Sequence, residues 1–280
     1  MKVLVTGAAG MLGRRVVAEA RARGWEAVGI TRADADLAVP QQALDVVGDV
    51  RPEAVIHCAA WTDVDGAEAD EAGAMRDNRD AAANTAAAAA AAGARIVAVS
   101  TDYVFDGTLA GRPYVESDPT APLGAYGRSK LAAEEAVAEL CDDHAIARTA
   151  WLFGAGGKNF CDTMLRLAAE RDRVSVVGDQ VGSPTWTGHL APALLDLAEM
   201  DAVGVFHAAG SGHCSWYELT VELFRQAGVG CEVEEVTSEQ FPRPAPRPAW
   251  SVLGTEREET PRLPDWREGV RGFLDERGTT

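Results

Sequence analysis

Short apolar runs and longer stretches of helical spacing alternate along the first half of this chain. Val3-Leu-Val5, Ala27–Ile30, Ala54–His57, Ile96–Ser100 and Ala145–Thr149 are each three to five residues long and bounded by polar or turn residues. Runs this short, apolar on successive positions, predict strands buried on both faces. Between them lie Met11–Ala22, Gln41–Val50, residues 67–92 and Ala125–Leu140, all predicted helical. The third is expected to break once near Gly73. Its alanine tract, Ala86–Ala92, follows from alanine being the best helix former and needs no special function. Strand–helix alternation of this kind predicts an α/β fold, a Rossmann-type doubly wound parallel sheet.

The pattern changes at about Trp151. Glycine, proline and tryptophan become frequent, and Arg-Pro pairs appear at 243–244 and 247–248. Residues 1–150 are therefore expected to form the sheet domain and 151–280 a smaller C-terminal α/β lobe. Segments near 187–207, a helix Leu190–Met200 and a strand Val205–His207, are candidates to return to the first domain. The tail Gly278–Thr280 is expected to fray.

A chain of 280 residues with 47% hydrophobic content can bury a full core. Twenty-six Lys and Arg against 43 Asp and Glu give a net charge of −17. That balance disfavours nucleic acid or an anionic membrane as partner, since phosphate binding needs a basic face. The opening residues do not read as a signal peptide, and no run reaches the roughly 20 apolar residues needed to cross a bilayer. The five cysteines (58, 141, 161, 214, 231) lack CxxC spacing and read as free thiols. Together these predict a cytoplasmic protein.

Gly7-x-x-Gly10-x-x-Gly13 follows a strand and opens a helix. Glycines there let the backbone turn tightly against a pyrophosphate, and the helix N-terminus offers it free N–H groups. Gly7, Gly10, Met11, Leu12 and Gly13 are therefore candidate dinucleotide contacts. NAD-selective folds usually place an acid at the end of the second strand. This chain has Thr31-Arg32 there, which favours NADPH over NADH if Arg32 meets a 2′-phosphate, or else leaves Arg32 a solvated loop charge. Asp36 and Leu37 are placed to contact adenine, or are a surface acid beside a core leucine. Ala59-Ala60-Trp61-Thr62, after the third strand, form the second cofactor contact. His57 reads as a buried hydrogen-bonded histidine.

Tyr126 and Lys130 stand four residues apart and so share one helix face. Reduction of a carbonyl by a nicotinamide needs a proton donor and a group that polarises the oxygen. A tyrosine is a weak acid, with an ordinary pKa of about 10, and an adjacent ammonium is expected to lower it. Thr101, at the end of the strand through Ser100, supplies a hydroxyl. Thr101, Tyr126 and Lys130 form the candidate catalytic set, and Tyr126 and Lys130 also belong to the cofactor contacts.

These residues resemble the dTDP-4-dehydrorhamnose reductase family of the extended short-chain dehydrogenase/reductase superfamily. The similarity runs through Ser100-Thr-Asp-Tyr-Val-Phe-Asp-Gly107, Tyr126-Gly-Arg-Ser-Lys130, Arg148-Thr-Ala-Trp-Leu-Phe-Gly154, Lys158-Asn-Phe160, Gly178-Asp-Gln-Val-Gly-Ser-Pro-Thr185, Ser215-Trp-Tyr217 and Arg247-Pro248. It implies NAD(P)H-dependent reduction of the 4-keto group of a dTDP-6-deoxyhexulose. Carried over by position, Tyr126 donates the proton, Lys130 assists it, and Thr101 polarises the keto oxygen. Asp102 and Tyr103 lie beside the sugar, and Trp151 walls it. Asn159, Gln180 and Arg247 are candidates for holding nucleotide or sugar. Core packing is the alternative for Trp151 and Trp216. Related 4,6-dehydratases carry a Glu where this chain has Tyr103, which disfavours dehydration. The family also contains metal-linked dimers; no metal is expected here, and a homodimer is the candidate assembly. The competing readings are a 4-ketoreductase for another dTDP-deoxysugar and a non-catalytic regulatory subunit that binds cofactor.

Overall fold

In the computed structural model, which describes residues 1–109 and 111–278, the first half of the chain runs β1 (Lys2–Thr6), α1 (Met11–Ala22), β2 (Glu26–Gly29), α2 (Pro40–Val50), β3 (Ala54–His57), α3 (Val64–Ala69), α4 (Glu71–Met75), a π turn over Arg76–Asp80, α5 (Ala81–Ala91), β4 (Arg95–Thr101), α6 (Ala125–Leu140) and β5 (His144–Thr149). Then come β6 (Leu152–Phe153), α7 (Phe160–Glu170), β7 (Arg173–Val177), β8 (Val181–Gly182), β9 (Thr185–Trp186), α8 (Thr187–Glu199), β10 (Gly204–His207), β11 (Cys214–Ser215), α9 (Trp216–Ala227), β12 (Glu232–Val236) and α10 (Trp266–Gly278). Of the tail expected to fray, residues 279 and 280 lie outside the described residues.

Six strands form one sheet in the order β10-β5-β4-β3-β1-β2, and every pairing in it is parallel. The order reverses at β1, which lies between β2 and β3. Alternation sorts the strand residues into two cores. Val3, Val5, Ile56 and Val97 face α1 and α8, with Val16, Leu190 and Leu194, on one side. Leu4, Val55, Ile96 and Ile146 face α2, α5 and α6, with Val47, Ala86, Ala89 and Val137, on the other. β10 pairs with β5, so a segment from the second half of the chain forms the sheet edge. The parallel pair β7–β12 and helices α7, α9 and α10 enclose a separate core around Phe153, Leu223, Trp266 and Phe273.

The helical region expected over 67–92 begins earlier, at Val64, and its break falls at Asp70, not at Gly73. Asp70 caps α4, its Oδ1 accepting from the Gly73 N–H at 2.9 Å. Gly73 is where the cap lands. A Cβ there would lie 2.3 Å from Asp70 Oδ2. The same device recurs at Asp63 and Gly66 at the start of α3, Oδ1 to N–H at 3.0 Å. α5 contacts both α2 and α6, and seven of its residues are buried, six of them alanine. The alanine tract thus allows a close three-helix approach. Ala86→Leu should destabilise the protein by about 1–3 kcal/mol through overpacking, seen as a lowered thermal midpoint.

Candidate active site

The carboxyl ends of the parallel strands open into one cavity of about 780 Å³. At its floor β1 gives way to Gly7, which adopts φ +64, a left-handed backbone that favours glycine. A Cβ on Gly7 would sit 2.8 Å from the Ala59 nitrogen, and one on Gly13 2.3 Å from the Gly7 carbonyl oxygen. The turn and helix α1 therefore pack backbone to backbone. Gly10 is the N-cap of α1 and carries no side chain to cap it, so the first N–H groups of the helix are open to an anion. Gly7, Gly10, Met11, Leu12 and Gly13 all line the cavity. A cradle that any side chain would fill, at a helix N-terminus, fits the pyrophosphate of a dinucleotide.

Arg32, Asp36 and Leu37 line the same cavity beyond β2. Arg32 is held in a bidentate pair by Asp77, Nη1 to Oδ2 at 2.8 Å and Nη2 to Oδ1 at 3.0 Å. Asp36 pairs with Arg76. Beyond β3, Ala59, Ala60 and Thr62 line the cavity and Trp61 does not. Trp61 is turned toward Tyr126, Ala67 and Ala74, and its indole N–H donates to the Asp63 carbonyl at 2.9 Å. The Thr6 hydroxyl and His57 Nδ1 lie 3.1 Å apart, and the Ala59 N–H donates to Thr6 Oγ1 at 3.2 Å. Burial lowers the His57 pKa to about 3, so the ring is neutral, and it serves this loop and not the cavity.

Thr101, Asp102, Tyr103, Tyr126 and Lys130 line the wall at the ends of β4 and α6. Thr101 Oγ1 donates to Asp102 Oδ1 at 3.1 Å and accepts from the Tyr103 N–H at 3.2 Å. The Tyr103 and Tyr126 rings meet edge to face, with centroids 5.7 Å apart. Lys130 is buried and its ammonium donates to the Val99 carbonyl at 2.7 Å. Burial lowers its pKa to about 8, with Glu134 opposing the shift. The expected lowering of Tyr126 by Lys130 is not what the structure gives. Burial raises Tyr126 to about 12, and the group that pulls it down is the Thr101 hydroxyl. Asp102 is also buried. Its Oδ2 makes no hydrogen bond, and burial raises its pKa to about 7 against the Ser251 and Thr101 hydroxyls.

At the far end stands Trp151, whose φ of +47 is rare for a bulky residue. Its ring stacks on Trp216 with centroids 3.5 Å apart and planes within 3°, and Phe160 leans on Trp216 at 4.4 Å. All three rings and Lys158 line the cavity. Asn159, Gln180 and Arg247 have other partners and are not among the lining residues. Asn159 caps α7, accepting from the Asp162 N–H at 2.9 Å and donating to the Gly154 and Gly157 carbonyls at 2.9 and 3.1 Å. Gln180 donates to Ser238 Oγ at 2.8 Å. Arg247 pairs with both oxygens of Asp65 at 3.1 Å.

Several contributors had no local signature in the sequence. Asn78, buried in the π turn, accepts from the Trp61 N–H at 2.7 Å and donates to Ser129 Oγ at 2.9 Å, tying the β3 loop to α6. Glu134, one turn past Lys130, receives Arg148 and Ser100. Asp77 meets the cavity only through the fold, whereas Lys158, Phe160 and Trp216, which also line it, belong to the segments that carry the resemblance.

A parallel sheet with a glycine turn at its reversal point, and a Thr–Tyr–Lys wall beside it, defines a Rossmann-fold protein of the short-chain dehydrogenase/reductase class. Residues 1–278 match the family described as RmlD substrate binding domain, and the chain belongs to that family. It is 46% identical to the dTDP-4-keto-6-deoxy-D-glucose reductase of Streptomyces niveus over 90% of this chain and 88% of the relative. Identity to the dTDP-4-dehydrorhamnose reductase of Mycobacterium tuberculosis is 45%, over 91% of this chain and 85% of that one. The crystal structure of Bacillus anthracis dTDP-4-dehydrorhamnose reductase in complex with NADP superposes with a TM-score of 0.94, at 37% identity over 98% of this chain and 99% of the other. Among the described residues, no helix is long and apolar enough to cross a membrane.

Asp102 yields a prediction whose sign is fixed. Its folded pKa lies above the ordinary 3.8, so the folded state holds the proton more tightly. Stability falls as pH rises from about 4 to about 7 and stays lowered above, by up to about 4 kcal/mol. Asp102→Asn removes that loss. Its melting temperature should exceed the parent's at pH 8, and the gap should close toward pH 4.5. An equal gap at both pH values contradicts the assignment.

Proposed function

We propose that this protein reduces the 4-keto group of dTDP-4-dehydro-6-deoxy-L-mannose to give dTDP-L-rhamnose, with NADPH or NADH as reductant. The observation that carries the reading is the Thr101–Tyr126–Lys130 wall, set beside an open glycine cradle in a chain 45% identical to a dTDP-4-dehydrorhamnose reductase. The NADP complex of the Bacillus anthracis relative supports NADPH.

Gly7, Gly10, Met11, Leu12 and Gly13 would hold the pyrophosphate, with Arg32, Asp36 and Leu37 at the adenosine end and Ala59, Ala60 and Thr62 along the middle. The cofactor, when bound, supplies the hydride. The chain's own residues manage the proton and the sugar. Tyr126 is protonated throughout the neutral range because burial holds its pKa near 12, so it serves as proton donor to the keto oxygen. Thr101 lends its one hydroxyl proton to the same oxygen, turning it from Asp102 Oδ1. Lys130, charged below about pH 8, keeps an ammonium on the same wall, donating to the Val99 carbonyl, and would reach the nicotinamide ribose hydroxyls rather than shift the phenol. Trp151, Trp216 and Phe160 form an apolar wall suited to the sugar face. Lys158 adds positive charge to the cavity, which helps an acidic protein accept a dianionic sugar nucleotide.

A second reading rests on the Streptomyces niveus relative, which acts on dTDP-4-keto-6-deoxy-D-glucose by its name. The two are separated by following cofactor oxidation at ~340 nm, the nicotinamide band, with keto sugar made in situ by a 4,6-dehydratase, with and without a 3,5-epimerase. Oxidation that needs the epimerase and yields dTDP-L-rhamnose supports the first reading. Oxidation without the epimerase supports the second. With neither, the catalytic reading gives way to a cofactor-binding regulatory subunit. Tyr126→Phe should lose turnover by roughly 10²–10⁴-fold while keeping cofactor affinity. Retained turnover would remove Tyr126 from the donor role.

A further inference from the structure

We propose, building on the reductase reading, that Asp77 sets the balance between the two nicotinamide dinucleotides: it clamps Arg32, so a 2′-phosphate must compete with a carboxylate and NADH is not excluded.

Arg32 follows β2, the position from which dinucleotide folds address the adenosine ribose. Two of its terminal nitrogens already meet a carboxylate, at 2.8 and 3.0 Å, in the fork geometry that a phosphate would otherwise take. The clamp comes from a different element. Asp77 sits in the π turn between α4 and α5, a local widening of the helix that recurs at functional sites. The neighbouring cation is committed as well. Arg76 donates to Asp77 Oδ1 at 2.7 Å and pairs with Asp36. Two arginines thus face two aspartates, and the quartet is neutral. Arg32, Asp36 and Asp77 all line the cavity. A phosphate dianion approaching through the cavity meets the Arg32 guanidinium but also both carboxylates. A ribose diol meets carboxylate oxygens able to accept its hydroxyls, the role an acid at this place plays in NAD-selective folds. The arrangement therefore suits either cofactor, where Arg32 alone would favour NADPH.

The clamp is easily loosened. The Arg32 side chain is 65% exposed and that of Asp77 16%, so the pair is solvated and screened by salt. Its removal changes little in the core.

The test is a set of dissociation constants for NADPH and NADH, measured by titration of nicotinamide fluorescence, for the parent, Asp77→Asn, Arg32→Ala and the double variant. Asp77→Asn should tighten NADPH by roughly five- to tenfold at low salt and leave NADH unchanged or weaker, since it removes a carboxylate able to accept the ribose hydroxyls. Arg32→Ala should weaken NADPH more than NADH. In the double variant the gain should vanish, because it acts through Arg32. It should also shrink as salt is raised. The proposal is overturned by an unchanged NADPH-to-NADH ratio in Asp77→Asn, by an equal change for both cofactors, or by a gain that survives loss of Arg32. No sugar is needed in these titrations, so absence of turnover overturns the reductase reading alone.

Discussion

Glu134 and Arg148 meet out of reach of water, each about 5% exposed, and the guanidinium grips both carboxylate oxygens at 2.7 to 3.2 Å. Glu134 stands one turn past Lys130 on α6, and Arg148 belongs to β5. Ser100, at the end of β4, donates to the same carboxylate. On its other side Arg148 faces His207 Nε2 of β10, at 3.5 Å, while His207 Nδ1 lies 2.7 Å from the Gly254 carbonyl. These contacts fit a neutral ring with its proton on Nδ1, donating to Gly254 and accepting from Arg148. Burial lowers the His207 pKa in the same sense. A buried pair of this kind adds little net stability, but removal of either partner strands a charge at about 3–5 kcal/mol. Its contribution is position. One polar chain pins the helix carrying Tyr126 and Lys130 to three strands and to the loop of the second half of the chain.

Around that anchor the cleft is organised by burial. Lys130 and Asp102 are shielded from water and Tyr126 is half-buried on the cavity wall, and each is displaced toward its neutral form, to about 8, about 7 and about 12. A phenol held protonated beside an ammonium and a hydroxyl is poised to give a proton to an oxygen that gains negative charge. At the opposite end, the adenosine mouth is exposed, and its charges cancel in pairs. On the proposed reading, the interior serves the chemistry and the rim the choice of cofactor.

The architecture was legible because its signals are local. Short apolar runs mark strands buried on both faces, and Gly7, Gly10 and Gly13 sit where backbone must meet backbone. Gly73 reads as the helix break by residue type alone, whereas Asp70 makes the cap. The shift of Tyr126 is illegible in the sequence for a related reason. Helix spacing brings Lys130 near it, but spacing does not reveal that the ammonium turns to the Val99 carbonyl. Asn159, Gln180 and Arg247 show the limit of carrying roles over by motif, since their side chains are engaged by Asp162, Ser238 and Asp65. Asn78, Asp77 and Glu134 left no trace in the sequence, because the partners they serve lie far along the chain: Trp61 and Ser129 at 17 and 51 residues, Arg32 at 45 and Ser100 at 34. Glu134 also reaches Arg148 at a separation of 14, on the next strand.

The most direct test of the central claim is to follow the hydride itself. With NADPH deuterated at the transferable C4 position and the epimerised keto sugar as substrate, the account predicts one deuterium at C4 of the dTDP-6-deoxyhexose product by NMR. Product that forms without deuterium at that carbon would contradict it.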